Sequence, residues 1–203
     1  MNSNCVFYTK DEVVVHNSQD DIWVSVNRLV FDLTKLFAMR LDTMNDNLRY
    51  LLAFAGKDLS WAFDDQGKPL HRINQNIDRV PVFPPVFEKE DENSEVWWRD
   101  QSNIVGKVTC LERQIRVINS LTRKTVSMTV CEEDTIAVIQ QKYSQRFNSS
   151  ADQYIWRKTS SKDQSTGRLF SDKTLTQNGI VFEKNEKLGL PPALWIFFVL
   201  NKD

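Results

Sequence analysis

The sequence predicts an α+β chain of two small domains joined by an extended linker. Three observations predict it. Short strands and capped helices alternate from Phe7 to about Ile77, and a proline-rich and then acidic stretch interrupts them. A hairpin, a helix, short strands and a final apolar strand then follow in that order. With 203 residues, 41% hydrophobic and 26% charged, the composition is that of an ordinary globular chain.

Charge and cysteine usage narrow the function classes. A net charge of −1 gives no electrostatic reason to expect nucleic acid or an anionic membrane as partner. Met1-Asn2-Ser3-Asn4-Cys5 lacks the basic and apolar regions of a signal peptide, and the run Leu194–Leu200 is too short to span a bilayer. Cys5, Cys110 and Cys131 are odd in number, widely spaced and form no Cys-x-x-Cys pair. That pattern suits reduced thiols in the cytosol and argues against a disulfide framework or a zinc site. A soluble intracellular protein is expected.

The first domain is assigned to residues 6–79. Thr9-Lys10-Asp11-Glu12 reads as a capping box, with Thr9 as N-cap and Glu12 at the third helical position. The helix carries Val13, Val14 and Val15 and stops near His16-Asn17-Ser18. Trp23–Val26 forms a strand that turns at Asn27-Arg28 and returns as Leu29-Val30-Phe31. Asp32 and Thr34 are candidate caps for the helix begun by Leu36 and Phe37. Leu48, Leu51, Leu52 and Ala55 share one helical face, which Gly56 is expected to stop. Asp58 or Ser60 caps a further short helix with Leu59 and Phe63.

These residues resemble a cytochrome b5 domain. Phe7-Tyr8-Thr9, His16-Asn17, Trp23-Val24, Val30-Phe31-Asp32-Leu33-Thr34 and Ala55-Gly56-Lys57-Asp58 fall in that family's order and spacing, and Phe63 stands where the family closes its Ala-Gly-Gly-Asp helix. The resemblance implies a haem held between two histidines. The first belongs to a His-Pro-Gly-Gly turn about eight residues after Asp32, where this chain has Arg40 within Ala38-Met39-Arg40-Leu41-Asp42-Thr43. The second is expected near Lys68, and His71 comes three residues late. Two strong axial donors are needed for a six-coordinate haem, so His71 remains the one candidate ligand, with Met39 or Met44 opposite it. His16 matches a histidine that the family uses structurally.

Residues 80–107 read as the linker. The prolines of Val80-Pro81-Val82-Phe83-Pro84-Pro85-Val86-Phe87 exclude a helix or inner strand. The segment could serve as a polyproline ligand, but Phe83 and Phe87 favour packing along the first domain. Glu88–Glu95 is charged and solvated. Trp97-Trp98 follow; on an extended segment adjacent side chains point oppositely, so one ring is expected to pack inward and the other against a neighbouring domain or partner.

The second domain is assigned to residues 108–203. Ile115, Val117 and Asn119 alternate with polar neighbours, as do Val126, Met128 and Val130 after Leu121-Thr122-Arg123-Lys124, which makes a β-hairpin. Asp134 is expected to cap a helix whose apolar stripe is Ile136, Ile139, Tyr143 and Phe147. Tyr154-Ile155-Trp156 is a strand, Lys158–Arg168 a polar loop, and Leu169-Phe170, Leu175 and Asn178-Gly179-Ile180 a short strand and tight turn. Leu194–Leu200 is apolar throughout and reads as a strand buried on both faces. The order is that of a β-grasp, and Leu121–Thr125, Asp134-Thr135-Ile136 and Asp172–Leu175 resemble ubiquitin's corresponding motifs. The terminal Asn201-Lys202-Asp203 lacks a conjugated modifier's Gly-Gly, so a docking module is implied.

A b5-like domain, Trp97-Trp98 and a ubiquitin-like domain together resemble the cytochrome b5 domain-containing protein 1 family. The carriers are Trp97-Trp98, Gln114–Thr122 and Thr174–Ile180. That family is ciliary and associated with axonemal radial spokes. The resemblance implies a non-catalytic adaptor of the motile ciliary axoneme, with radial spoke proteins as partners and neither nucleic acid nor membrane among them. The interaction candidates are Trp97 and Trp98, and no cofactor is expected. The alternative is a haem b redox carrier or sensor built on His71. Two histidines, without a Ser/His/Asp or Cys/His grouping, give hydrolase chemistry no motif.

Overall fold

Thr9 sets the start of the first helix. Its hydroxyl accepts from the Glu12 N–H, and the Glu12 carboxylate accepts from the Thr9 N–H at 2.8 Å. The reciprocal bonds satisfy two otherwise orphaned donors. Strand β1 (Phe7–Tyr8) therefore turns directly into α1 (Lys10–Val14). The computed structural model describes residues 5–39, 46–73, 79–82, 96–151, 154–158, 167–182 and 189–198. The chain divides into two units, Met1–Val108 and Thr109–Asp203.

The first unit continues with β2 (Asn17–Ser18), β3 (Asp21–Val26) and β4 (Leu29–Asp32). The β3–β4 hairpin is the one the sequence predicts. Its two turn residues, Asn27 and Arg28, have φ of 48° and 69°, the left-handed pair that matches a tight hairpin to the strand twist. The turn is tied down: the Asn27 N–H donates to Ser60 Oγ at 2.8 Å and its side-chain amide to Asp64 O at 2.6 Å. Helices α2 (Thr34–Ala38) and α3 (Asp46–Leu52), a 3-10 turn at Ser60–Ala62, the hairpin β5 (His71–Ile73) with β6 (Arg79–Pro81), and β7 (Ile104–Val108) complete the unit.

Several local expectations shift by a residue or more. Neither Asp32 nor Thr34 is the N-cap of α2, which is Leu33. Asp32 instead accepts from the Thr34 N–H, and the Thr34 hydroxyl accepts from Ile22 N–H in β3. Leu59, in place of Asp58 or Ser60, precedes the 3-10 turn. Asp58 accepts from the hydroxyls of Ser25 and Ser60 and so joins β3 to that turn. Gly56 lies past the end of α3, in the turn that follows, with φ of 75°. Its N–H donates to Trp23 O at 2.7 Å, and a Cβ there would stand 2.7 Å from Val14 O.

The largest correction concerns the linker assigned to 80–107. Ile104–Val108 is a strand of the first unit's sheet, whose order is β1-β7-β4-β3-β2. It pairs parallel with β1 and antiparallel with β4, so the unit's second-last strand position is filled from residues beyond the proline-rich stretch. Polar Lys107 and Gly106 disguise the strand in the sequence. Gly106 is needed where β7 crosses Tyr8, since a Cβ would stand 2.5 Å from Val6 O. Val80 and Pro81 of that assignment belong to β6, Gln101–Asn103 is a 3-10 turn, and residues 83–95 lie outside the described residues.

In the second unit β8 (Glu112–Asn119) and β9 (Thr125–Cys131) form the predicted hairpin, followed by α4 (Ile136–Arg146), β10 (Tyr154–Arg157) and β11 (Ala193–Phe198). The sheet order is β10-β11-β8-β9, with β11 and β8 parallel at the centre and antiparallel partners outside. That is β-grasp topology. Ile136, Ile139 and Tyr143 of α4 are buried against the sheet residues Ile115, Val117, Leu194 and Ile196. Phe147, expected in the same stripe, is exposed beyond the helix end.

Two further expectations change here. Thr135 caps α4, its hydroxyl accepting from the Val138 N–H at 3.4 Å. Asp134 accepts from the Cys131 N–H at 3.0 Å and pairs with Lys142 at 2.7 Å. In β11 only Leu194 and Ile196 are fully buried, while Trp195 and Phe197 are partly exposed. The strand buries one face because α4 covers only that side of the sheet. The short strand expected at Leu169-Phe170 is a run of turns organised by Asn178, whose side-chain amide donates to Phe170 O and Thr174 O and accepts from Phe170 N–H.

Candidate functional site

The residues singled out for chemistry all fall within the first unit, whose core includes Phe63. Ile22, Val24 and Val26 from β3, Phe31 and Leu33 from β4 and its end, Phe37 from α2 and Leu51 from α3 form one buried cluster. Phe63 lies in it, 5% exposed, just after the 3-10 turn.

Trp97 and Trp98 close this cluster. The segment is a turn, with the Arg99 N–H donating to Val96 O at 3.0 Å, and a turn does not obey the alternation of an extended strand. Both rings therefore reach the same core. Trp97 is 2% exposed and meets Phe31 edge-on at 5.4 Å and 83° and Phe63 at 6.2 Å and 72°. Trp98 is half-buried and meets Phe63 at 5.7 Å and Trp97 at 5.4 Å. Neither indole N–H has a hydrogen-bond partner among the described residues, so packing alone holds the rings. The expectation that one tryptophan points away from the domain is corrected by this turn. Only Trp98 retains surface that a partner could touch.

The histidines stand apart from one another. His16 stacks on Trp23 at 3.6 Å and 10°, and its Nδ1 bonds Asp21 at 2.7 Å, an arrangement that fixes the end of α1 to β3. His71 opens β5 opposite Pro81 and is half-buried. Met39, just past α2, is 83% exposed. Arg40 and Met44 lie outside the described residues. Among the described residues no three His, Cys, Asp or Glu side chains are placed to hold a metal ion.

Residues 9–82 match the family model described as a cytochrome b5-like haem/steroid binding domain. The chain is 28% identical to cytochrome b5 domain-containing protein 1 of Mus musculus, over 94% of this chain and 89% of that protein. It is 29% identical to the Homo sapiens protein of the same name, over 89% of this chain and 81% of that one. The Xenopus tropicalis relative is 28% identical, over 89% and 85%. Residues 9–82 thus carry a cytochrome b5-like domain, and the chain is similar over most of its length to proteins named cytochrome b5 domain-containing protein 1. The matched domain model ends at residue 82, whereas the sheet it begins is completed by Ile104–Val108.

A b5 domain implies a haem, and the residues at the family's two ligand positions, Arg40 and Lys68, do not fit a bis-histidine one. A six-coordinate b-type haem needs two donor atoms, one on each face. Arg40, at the position of the first, offers five donors and no lone pair for iron. Met39 turns its thioether to solvent, and the apolar space beside Phe63 is filled by two indoles. Lys68, at the other expected ligand position, is exposed with its backbone N–H bonded to Asp64. The sequence misses this filling because the tryptophans are far from Phe63 along the chain. Their doubled aromatic bulk was the available signal.

Proposed function

We propose that this chain is a non-catalytic adaptor of the motile ciliary axoneme, a radial spoke component that docks neighbours through its b5-like unit and its ubiquitin-like β-grasp unit. One observation carries the non-catalytic, haem-free part of the reading: Trp97 is fully buried against Phe31 and Phe63 in the core of the b5-like unit. A domain closed by its own side chains is a packed module whose surface does the work. The axonemal setting and the spoke partners rest on the resemblance to the cytochrome b5 domain-containing protein 1 family.

Cross-linking of isolated motile axonemes, read by mass spectrometry, tests the proposal. Cross-links from both units to radial spoke subunits are expected. Absence of the protein from washed axonemes, or links confined to other structures, contradicts it.

A further inference from the structure

A cleft of about 730 Å³ lies in the first unit between the β3–β4 hairpin, the loop 65–68, the turn at Trp98-Arg99 and β7. That volume is within the range of about 300–1,000 Å³ common for ligand clefts. Leu29, Phe31 and Trp98 supply apolar lining, and Arg28, Lys68, Arg99 and Lys107 supply cations against the single carboxylate of Asp65. The clustering is local. The chain as a whole has 26 basic and 27 acidic residues, so four cations to one carboxylate in one cleft is not a reflection of overall basicity.

Three of the cations are exposed and unspent. Among the described residues no carboxylate pairs with the side chain of Lys68, Arg99 or Lys107. Each is carried by a separately fixed piece of backbone. The Lys68 N–H donates to Asp64 Oδ1 at 2.8 Å and its carbonyl accepts from the Asp64 N–H at 2.9 Å. Arg99 is held by the turn bond to Val96 O, and Lys107 lies in β7 opposite Leu29 of β4. The fixed backbone keeps the three cations around one cleft, while each exposed side chain is free to turn toward a partner's charge.

We propose that this cleft docks an acidic peptide segment of a partner protein, with carboxylates at Lys68, Arg99 and Lys107 and apolar side chains against Leu29 and Trp98. Charge complementarity selects the occupant's sign. A chain without net positive charge offers a polyanion little long-range attraction, which favours a short acidic peptide over nucleic acid. The proposal goes beyond the adaptor reading and is tested on purified protein, so it stands or falls without reference to axonemes or haem.

The test is fluorescence anisotropy with the full chain and a labelled peptide of alternating glutamate and leucine. Saturable binding that weakens with added salt is expected, as is a loss of about tenfold or more in affinity for the Lys68→Glu/Arg99→Glu/Lys107→Glu variant. Lys68→Gln/Lys107→Gln, which keeps the exposed surface neutral, should give an intermediate loss and serves if the reversed variant fails to fold. A control variant, Lys10→Glu/Lys35→Glu/Lys124→Glu, should bind like the parent. Equal loss in that control, equal binding of a lysine–leucine peptide, or no binding at all overturns the proposal. Tighter binding to phosphatidylserine vesicles or to single-stranded oligothymidine than to the acidic peptide also overturns it.

Discussion

Trp97 and Phe63 meet edge to face with their ring centroids 6.2 Å apart, although the proline-rich and acidic stretch separates them in sequence. Phe63 anchors the end of the b5-like helix region, and Trp97 is the largest fully buried side chain among the described residues. Edge-on aromatic contacts add about 0.5–1.5 kcal/mol beyond the area they bury. The b5-like core therefore depends on residues that follow the segment matched by the b5 domain model.

Replacing Trp97 by alanine removes that closure. Loss of a fully buried tryptophan costs about 3–5 kcal/mol, and urea unfolding followed by circular dichroism should register it. Trp98→Ala, at a half-buried ring, should cost distinctly less. Equal small effects from both would mean that the rings cover the core without supporting it.

Gly56→Ala meets two obstacles at once. The residue must hold φ of 75°, and its Cβ must share space with Val14 O at 2.7 Å. A substitution at an incompatible φ costs more than about 1 kcal/mol, and the close backbone oxygen adds to it because α1 cannot retreat from the capping box at Thr9. A thermal midpoint within error of the parent would refute the close approach.

The buried pair of the second unit couples α4 to the end of β9. Asp134 is 3% exposed and Lys142 12% by side chain. Removing one partner leaves the other's buried charge without this ion pair, a loss of the kind that costs about 3–5 kcal/mol. Asp134→Ala should show this, and the cycle with Lys142→Met should give a coupling energy of about 0.5–3 kcal/mol. Additive losses would show that the two act separately.

Glu132 predicts an acid-sensitive contribution. Burial raises its pKa, but hydrogen bonds from the Thr176 hydroxyl and the Arg113 guanidinium, with the latter's charge, prevail and hold it below the ordinary glutamate value. A carboxylate with a depressed folded-state pKa stabilises the fold above its unfolded pKa and loses that contribution as pH falls through the folded value. Urea midpoints should thus decline more steeply for the parent than for Glu132→Gln as pH drops below the ordinary glutamate range. Parallel curves would contradict the sign.

The sequence made most of the elements legible because their signals are local. The capping box at Thr9, the Asn27-Arg28 hairpin and the β8–β9 alternation need only neighbouring residues, and each stands in the structure. What was not legible depends on distant partners. β7 looks like linker until β1 and β4 flank it, and Asp134 looks like a cap until Lys142 reaches it. The candidate haem residues were readable as absences, since Arg40 has no lone pair to give iron. That both tryptophans pack against Phe63 was not, because the turn at Val96–Arg99 has no signature in Trp97-Trp98 itself.

The central claim, a b5-like fold closed by its own tryptophans, is tested most directly by titrating purified full-length protein with haem and reading the Soret band. No saturable, stoichiometric binding and no change with His71→Ala are expected. Saturable binding with a low-spin spectrum that His71→Ala abolishes would contradict it.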